Sequence, residues 1–169
     1  MAEYKVVQLL TNEPPREITV YTKDSEPIGS ETIFDILFPD GDRKPICSRV
    51  IESFPALSNV NIWFTDPDYV NKEDFNAVLT DALRKPTELI FGNAVFVGLD
   101  SYFSPSGLTK EQVEILMLMY RNHHKYNIVF SPAHQKWKMV SIEDNASNHG
   151  VLAKTAAEFQ EVYTRYHKV

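Results

Sequence analysis

Apolar positions along this chain switch between a period of two and a period of three to four, and those switches predict its elements. Residues 4–10 and 17–22 read as strands, separated by a segment in which Pro14 and Pro15 cannot donate to a ladder. Ser30 stands as the N-cap of a short helix over residues 31–37, stopped by Pro39 and the Asp40, Gly41, Asp42 turn. Residues 43–58 carry the weakest pattern, and Ile46, Val50, Ile51 and Phe54 suit one or two helical turns. Residues 60–64 are expected to form a strand that ends at Asp66, Pro67 and Asp68.

Asn71 caps a second expected helix reaching about residue 84. Phe75, Val78, Leu79, Ala82 and Leu83 make its single stripe, and Pro86 prevents its continuation. Gly92 and Asn93 separate two apolar runs, 89–91 and 94–97, as in a two-residue hairpin. After a Ser, Pro and Gly loop at 104–107, Thr109 and Gln112 form the capping box of a helix running to about residue 125. Residues 127–130 and 136–142 form a further hairpin about the segment 131–135. A last helix aligns Leu152, Ala156, Phe159, Tyr163 and Tyr166.

The order of elements implies an α+β fold. Its sheet is largely antiparallel and built from β-hairpins, with three main helices on one face, arranged as ββα-type units. No linker divides residues 1–169, so one globular domain is expected. The two C-terminal units share no residue pattern that would mark a duplication.

Composition narrows the class. The chain is 43% hydrophobic and 24% charged, ordinary globular usage for its 169 residues. Cys47 is the single cysteine, which excludes an intramolecular disulfide and a cysteine-based zinc site. No signal-peptide pattern opens the chain, and its longest apolar run, residues 115–120, is too short to span a bilayer. A soluble, cytoplasmic protein with no membrane contact is expected.

Net charge is −6, which disfavours direct binding to nucleic acid or anionic membrane. That charge is uneven. Residues 1–100 carry 9 Lys and Arg against 17 Asp and Glu, whereas residues 101–169 carry 8 against 6 and all five histidines.

Four groups are candidates for chemistry or contact. Asp66 and Asp68 flank a proline after a strand, where carboxylates can hold a divalent cation or simply cap a turn; turn chemistry is the reading preferred. The histidines lack the i, i+4 spacing of a zinc helix and any accompanying nucleophile motif. A basic-aromatic cluster gathers Arg121, His124, His134, Lys136, Trp137, Lys138 and His149, which could receive a small anionic ligand such as a nucleotide. No phosphate-loop or dinucleotide fingerprint accompanies it.

The fourth group lies on the 109–125 helix. Beside its stripe of Val113, Leu116, Met117 and Tyr120, the residues Ile115, Leu118 and Met119 make most of a second. Such a helix is either central to a core or presents an interface.

The functional expectation is therefore a non-enzymatic binding or regulatory protein. It would act through protein contacts and self-associate through the 109–125 helix, and a small inhibitor with an acidic face is one form it could take. The alternatives are a binder of small anions and a metal-dependent hydrolase using Asp66, Asp68 and a histidine. No catalytic residue, metal ligand or cofactor is assigned.

Overall fold

The computed structural model describes residues 1–23, 26–51, 57–71, 75–80, 86–121, 126–131 and 136–141, together with residue 165. The elements begin with strands β1 (Ala2–Leu9) and β2 (Arg16–Thr22), then helix α1 (Ser30–Leu37) and strands β3 (Ile46–Ile51) and β4 (Val60–Thr65). After a 3-10 turn at Pro67–Tyr69 come β5 (Phe75–Thr80), β6 (Pro86–Phe91), β7 (Ala94–Leu99) and β8 (Pro105–Ser106). Helix α2 (Lys110–Tyr120) and the pair β9 (Tyr126–Ser131) and β10 (Lys136–Ser141) follow.

Six strands form one antiparallel sheet in the order β2-β1-β7-β4-β3, with β8 added to β7. The α+β class and the antiparallel sheet are as the sequence implies. Two two-stranded sheets, β5 with β6 and β9 with β10, complete the described strands.

The helices lie on opposite faces of the main sheet, which corrects the expected one-sided arrangement. Adjacent strand residues point to opposite faces, and the core divides accordingly. Val6, Val95 and Val97 pack with Ile33, Ile36 and Leu37 of α1. Their neighbours Val7, Phe96 and Ile62 pack with Val113, Ile115, Leu116 and Tyr120 of α2. The rings of Phe96 and Tyr120 meet at 5.2 Å between centroids. Central strands covered twice lose the polar alternation that marks a half-buried sheet. Residues 94–97 of β7 are accordingly apolar throughout and buried.

Three local expectations also change. Residues 75–80 form a strand, not part of a helix. Irregularities in the ladder fall between Phe75 and Ala77 and between Leu79 and Thr80. An extra residue in a strand shifts its apolar spacing from two to three, which imitates a helical stripe. Ile46–Ile51 is likewise a strand, paired among the described residues to β4 alone, and Arg49 and Val50 are exposed. Gly92 and Asn93 do turn the chain, with Gly92 at φ +76, but they do not close a hairpin. β6 pairs β5, while both sides of β7 are taken by β1 and β4.

The cap of α1 is Gly29, one residue before Ser30, with no side-chain hydrogen bond. The capping box of α2 is present: Thr109 Oγ1 accepts from Gln112 N–H, and Gln112 Oε1 accepts from Thr109 N–H. Two α-helices are described; of the expected third, Arg165 alone lies among the described residues, and it is helical.

One end of the sheet is tied by side-chain amides. Gln8 Nε2 donates to the Ile36 carbonyl at 2.8 Å, and Asn93 Nδ2 donates to the Leu37 carbonyl at 2.7 Å. These acceptors belong to the last turn of α1, where carbonyls have no partner within the helix. Asn93 Oδ1 accepts from Thr11 N–H at 3.0 Å, and Asn76 Nδ2 donates to the carbonyls of Leu9 and Gly92.

Replacing Asn93 by Ala leaves Leu37 O and Thr11 N without these partners. Urea unfolding of Asn93→Ala is expected to show a loss of about 2 kcal/mol, the cost of stranding partly buried backbone groups. An unchanged midpoint would show that water replaces the amide at no cost.

Candidate functional site

The opposite end of the sheet carries a different chemistry. Pairing of Ala2 with Thr22, Ile51 with Val60, and Val60 with Gly98 brings together the start of β1, the ends of β2, β3 and β7, and the start of β4. Among the described residues, six large apolar side chains are exposed: Met1, Tyr21, Val50, Tyr69, Tyr102 and Phe103. All but Tyr69 lie at this end. Tyr69 follows β4 and sits at the other.

Tyr102 and Phe103 occupy the tip of the β7–β8 hairpin, 86% and 75% exposed. Asp100 builds that tip. Its N–H donates to Ser104 O at 3.0 Å, and its carbonyl accepts from Phe103 N–H at 3.0 Å. Its carboxylate Oδ1 accepts from Tyr102 N–H at 2.8 Å and from Ser104 N–H at 2.9 Å. The base of the hairpin is close-packed, since a Cβ at Gly98 would run into the carbonyl of Gly107.

A three-residue tip needs its last residue in the left-handed region, a position that favours glycine or asparagine. Phe103 holds it, at φ +59. Every other described residue with positive φ is Gly or Asn: Asn12, Gly41, Asn59 and Gly92. A bulky side chain there carries roughly 1–2 kcal/mol of backbone strain. Burial offsets little of it, because the ring faces solvent.

No protein-family model matches this chain. Neither a curated protein nor a solved structure is significantly similar to it.

The sequence-derived cluster is only partly described. Arg121 is the half-buried C-cap of α2, and its interactions occupy it within the chain. Lys136, Trp137 and Lys138 begin β10, with Lys136 paired to Ser131, Trp137 to Phe130 and Lys138 to Val129. Only their backbone is described. His124, His134 and His149 lie outside the described residues.

On α2, Ile115 is 4% exposed and part of the core, while Leu118 and Met119 are half-buried against it. Glu114 receives Arg165 Nη1 at 2.9 Å, which sets Arg165 beside this helix.

Asp66 acts as a cap, its Oδ1 accepting from Asp68 N–H at 3.0 Å at the head of the 3-10 turn. Asp40 does the same for Asp42 N–H. Among the described residues no group of three or more His, Cys, Asp or Glu is placed to hold a metal ion. No described helix is long and apolar enough to cross a membrane. Arg43 is bound on α1 by Glu31 at 2.8 Å and Asp35 at 2.9 Å, and stands over the Phe34 ring. Those two hydrogen bonds, Glu31 first, raise its pKa further.

Sequence reading passed over Tyr102 and Phe103. The available signal was two consecutive aromatics inside a stretch otherwise made of Asp, Ser, Pro and Gly.

Two measurements follow from these placements. Phe103→Gly relieves the left-handed strain but loosens the unfolded chain, so the isolated domain should gain up to about 1 kcal/mol in thermal or urea unfolding. A clear loss would mean that the ring packs within the fold.

Burial pushes the Tyr120 phenol above its ordinary range. A raised folded value stabilises below the unfolded tyrosine value, and that contribution is lost as pH climbs from about 10. Tyr120→Phe should flatten the alkaline decline of stability, and an unaltered slope would count against that burial.

Proposed function

We propose that this chain is a non-enzymatic protein that acts by binding another protein, and that the contact surface is the aromatic end of its sheet. The observation that carries this reading is Phe103, exposed and left-handed at the tip of a hairpin. Rigid aromatic anchors supply most of the energy in protein interfaces and need few rotamers to be fixed.

The tip also bears on the kind of partner. Residues 99–109 contain one charged side chain, Asp100, whose Oδ1 is spent on two backbone N–H groups. With no cation there, the surface suits an apolar protein pocket better than phosphate-rich partners. The α2 helix offers less, because its stripe of Val113, Ile115, Leu116 and Tyr120 is used in its own core. A single half-buried cysteine, Cys47, suits a reducing compartment such as the cytoplasm.

A photo-crosslinking residue at position 102, compared with one at the exposed position 69, tests the proposal in cells. Protein adducts should form from position 102 and be scarce from position 69. Equal yields, or none at 102, would overturn it.

A further inference from the structure

We infer that the α1 face of β4 holds a small neutral molecule with an amide edge, bound by Asn61 Oδ1 and the Trp63 indole N–H. Such a site does not depend on the sheet end being a contact surface.

The first observation is a pair of unsatisfied polar atoms. Asn61 Oδ1 and Trp63 Nε1 are both buried, and neither has a hydrogen-bond partner. Nearly all buried polar side chains in folded proteins are satisfied, because an unpaired one has given up water without replacement. Residues two apart on a strand share a face. Asn61 and Trp63 therefore stand side by side on β4, and Trp63 packs into the α1 cluster with Val95 and Val97. Asn61 is only 7% exposed.

The second is the match between the two atoms. One lacks a donor and the other lacks an acceptor, so a single molecule that carries both serves them together. The two positions lie roughly 6.6 Å apart along the strand. In a cyclic amide the N–H and C=O groups point to one side, with N and O about 2.3 Å apart. Hydrogen bonds of about 2.9 Å at each end let that edge bridge a separation of this order.

The third is the surroundings. The strand register sets Val50 and Val97 beside Asn61, and Ser48 and Val95 beside Trp63, all on the same face. None is charged, and an ion placed there would lose its water without a counter-charge. Valine on either side of Asn61 gives a carbon ring apolar contact, which a water molecule cannot use. Val50 is 56% exposed and Ser48 half-buried, so this face is open toward β3, and entry lies there.

Heteronuclear NMR of the indole N–H groups on the full chain tests this, with δ-valerolactam as the probe. Trp63→Phe identifies the Trp63 signal by its loss, and Trp137 serves as the internal control. The lactam should move the Trp63 signal saturably and leave that of Trp137 in place. N-methyl-δ-valerolactam keeps the carbonyl but has no N–H for Asn61, so it should bind at least tenfold more weakly. Asn61→Leu should weaken the parent lactam to the same extent without lowering the melting temperature, since it removes an unpaired oxygen.

A Trp63 signal unmoved by the lactam overturns the inference and means that water alone fills the place. Equal binding of the two lactams also overturns it, because Asn61 then contributes no bond. Should Asn61→Leu fail to fold, the comparison of the two lactams on the wild-type chain still decides.

Discussion

Asn93 joins parts of the chain that the backbone ladder alone would leave separate. Its amide N–H group satisfies a carbonyl at the end of α1, and its oxygen holds the turn that follows β1. The same residue stands where the chain leaves the small β5–β6 sheet for the centre of the large one. Asn76 repeats the device beside it, bridging the end of β1 and Gly92. Apolar burial is non-directional, so it can hold α1 against the sheet without setting where along the sheet the helix stops. The amides supply that position.

The two ends of the sheet differ in kind. The side-chain amides that fix α1 gather at one end, and Tyr102 and Phe103 stand at the other. The hairpin carrying Tyr102 and Phe103 is stiff for a surface loop, because Asp100 spends its carboxylate on the turn and Gly98 seats the hairpin base against Gly107. Rings displayed on a stiff turn lose little conformational freedom when covered.

Much of this was legible in the residues. Thr109 and Gln112 foretold the α2 cap, Pro39 foretold the end of α1, and the β1–β2 and β9–β10 hairpins follow the expected spacing. The failures have physical causes. At Phe75–Thr80 the ladder irregularities gave a strand the spacing of a helix. At Gly92 and Asn93 the turn was visible, but its destination depended on β1 and β4 closing around β7, which no local pattern records. The excess apolarity of α2 is spent within the fold, since Val113, Ile115, Leu116 and Tyr120 are buried and Met117, Leu118 and Met119 pack partly against them. The aromatic tip was missed because a left-handed phenylalanine is a property of a backbone angle, and sequence patterns track side chains.

The two-sided burial of β1 has a consequence for how its pairing is specified. In a half-buried strand, a slip by one residue carries the apolar set into water, so the alternation itself forbids the error. Val6 and Val7 both lie under helices, and exchanging them would expose neither. The apolar residues at the centre of this sheet are thus nearly indifferent to alignment. Discrimination falls to the polar neighbours, because a slip carries Lys5 into the place of Val6 or Gln8 into that of Val7, and to the bonds of Gln8 Nε2 to Ile36 and of Leu9 O to Asn76. Where this strand runs between two apolar layers, the correct partner is chosen by polar atoms.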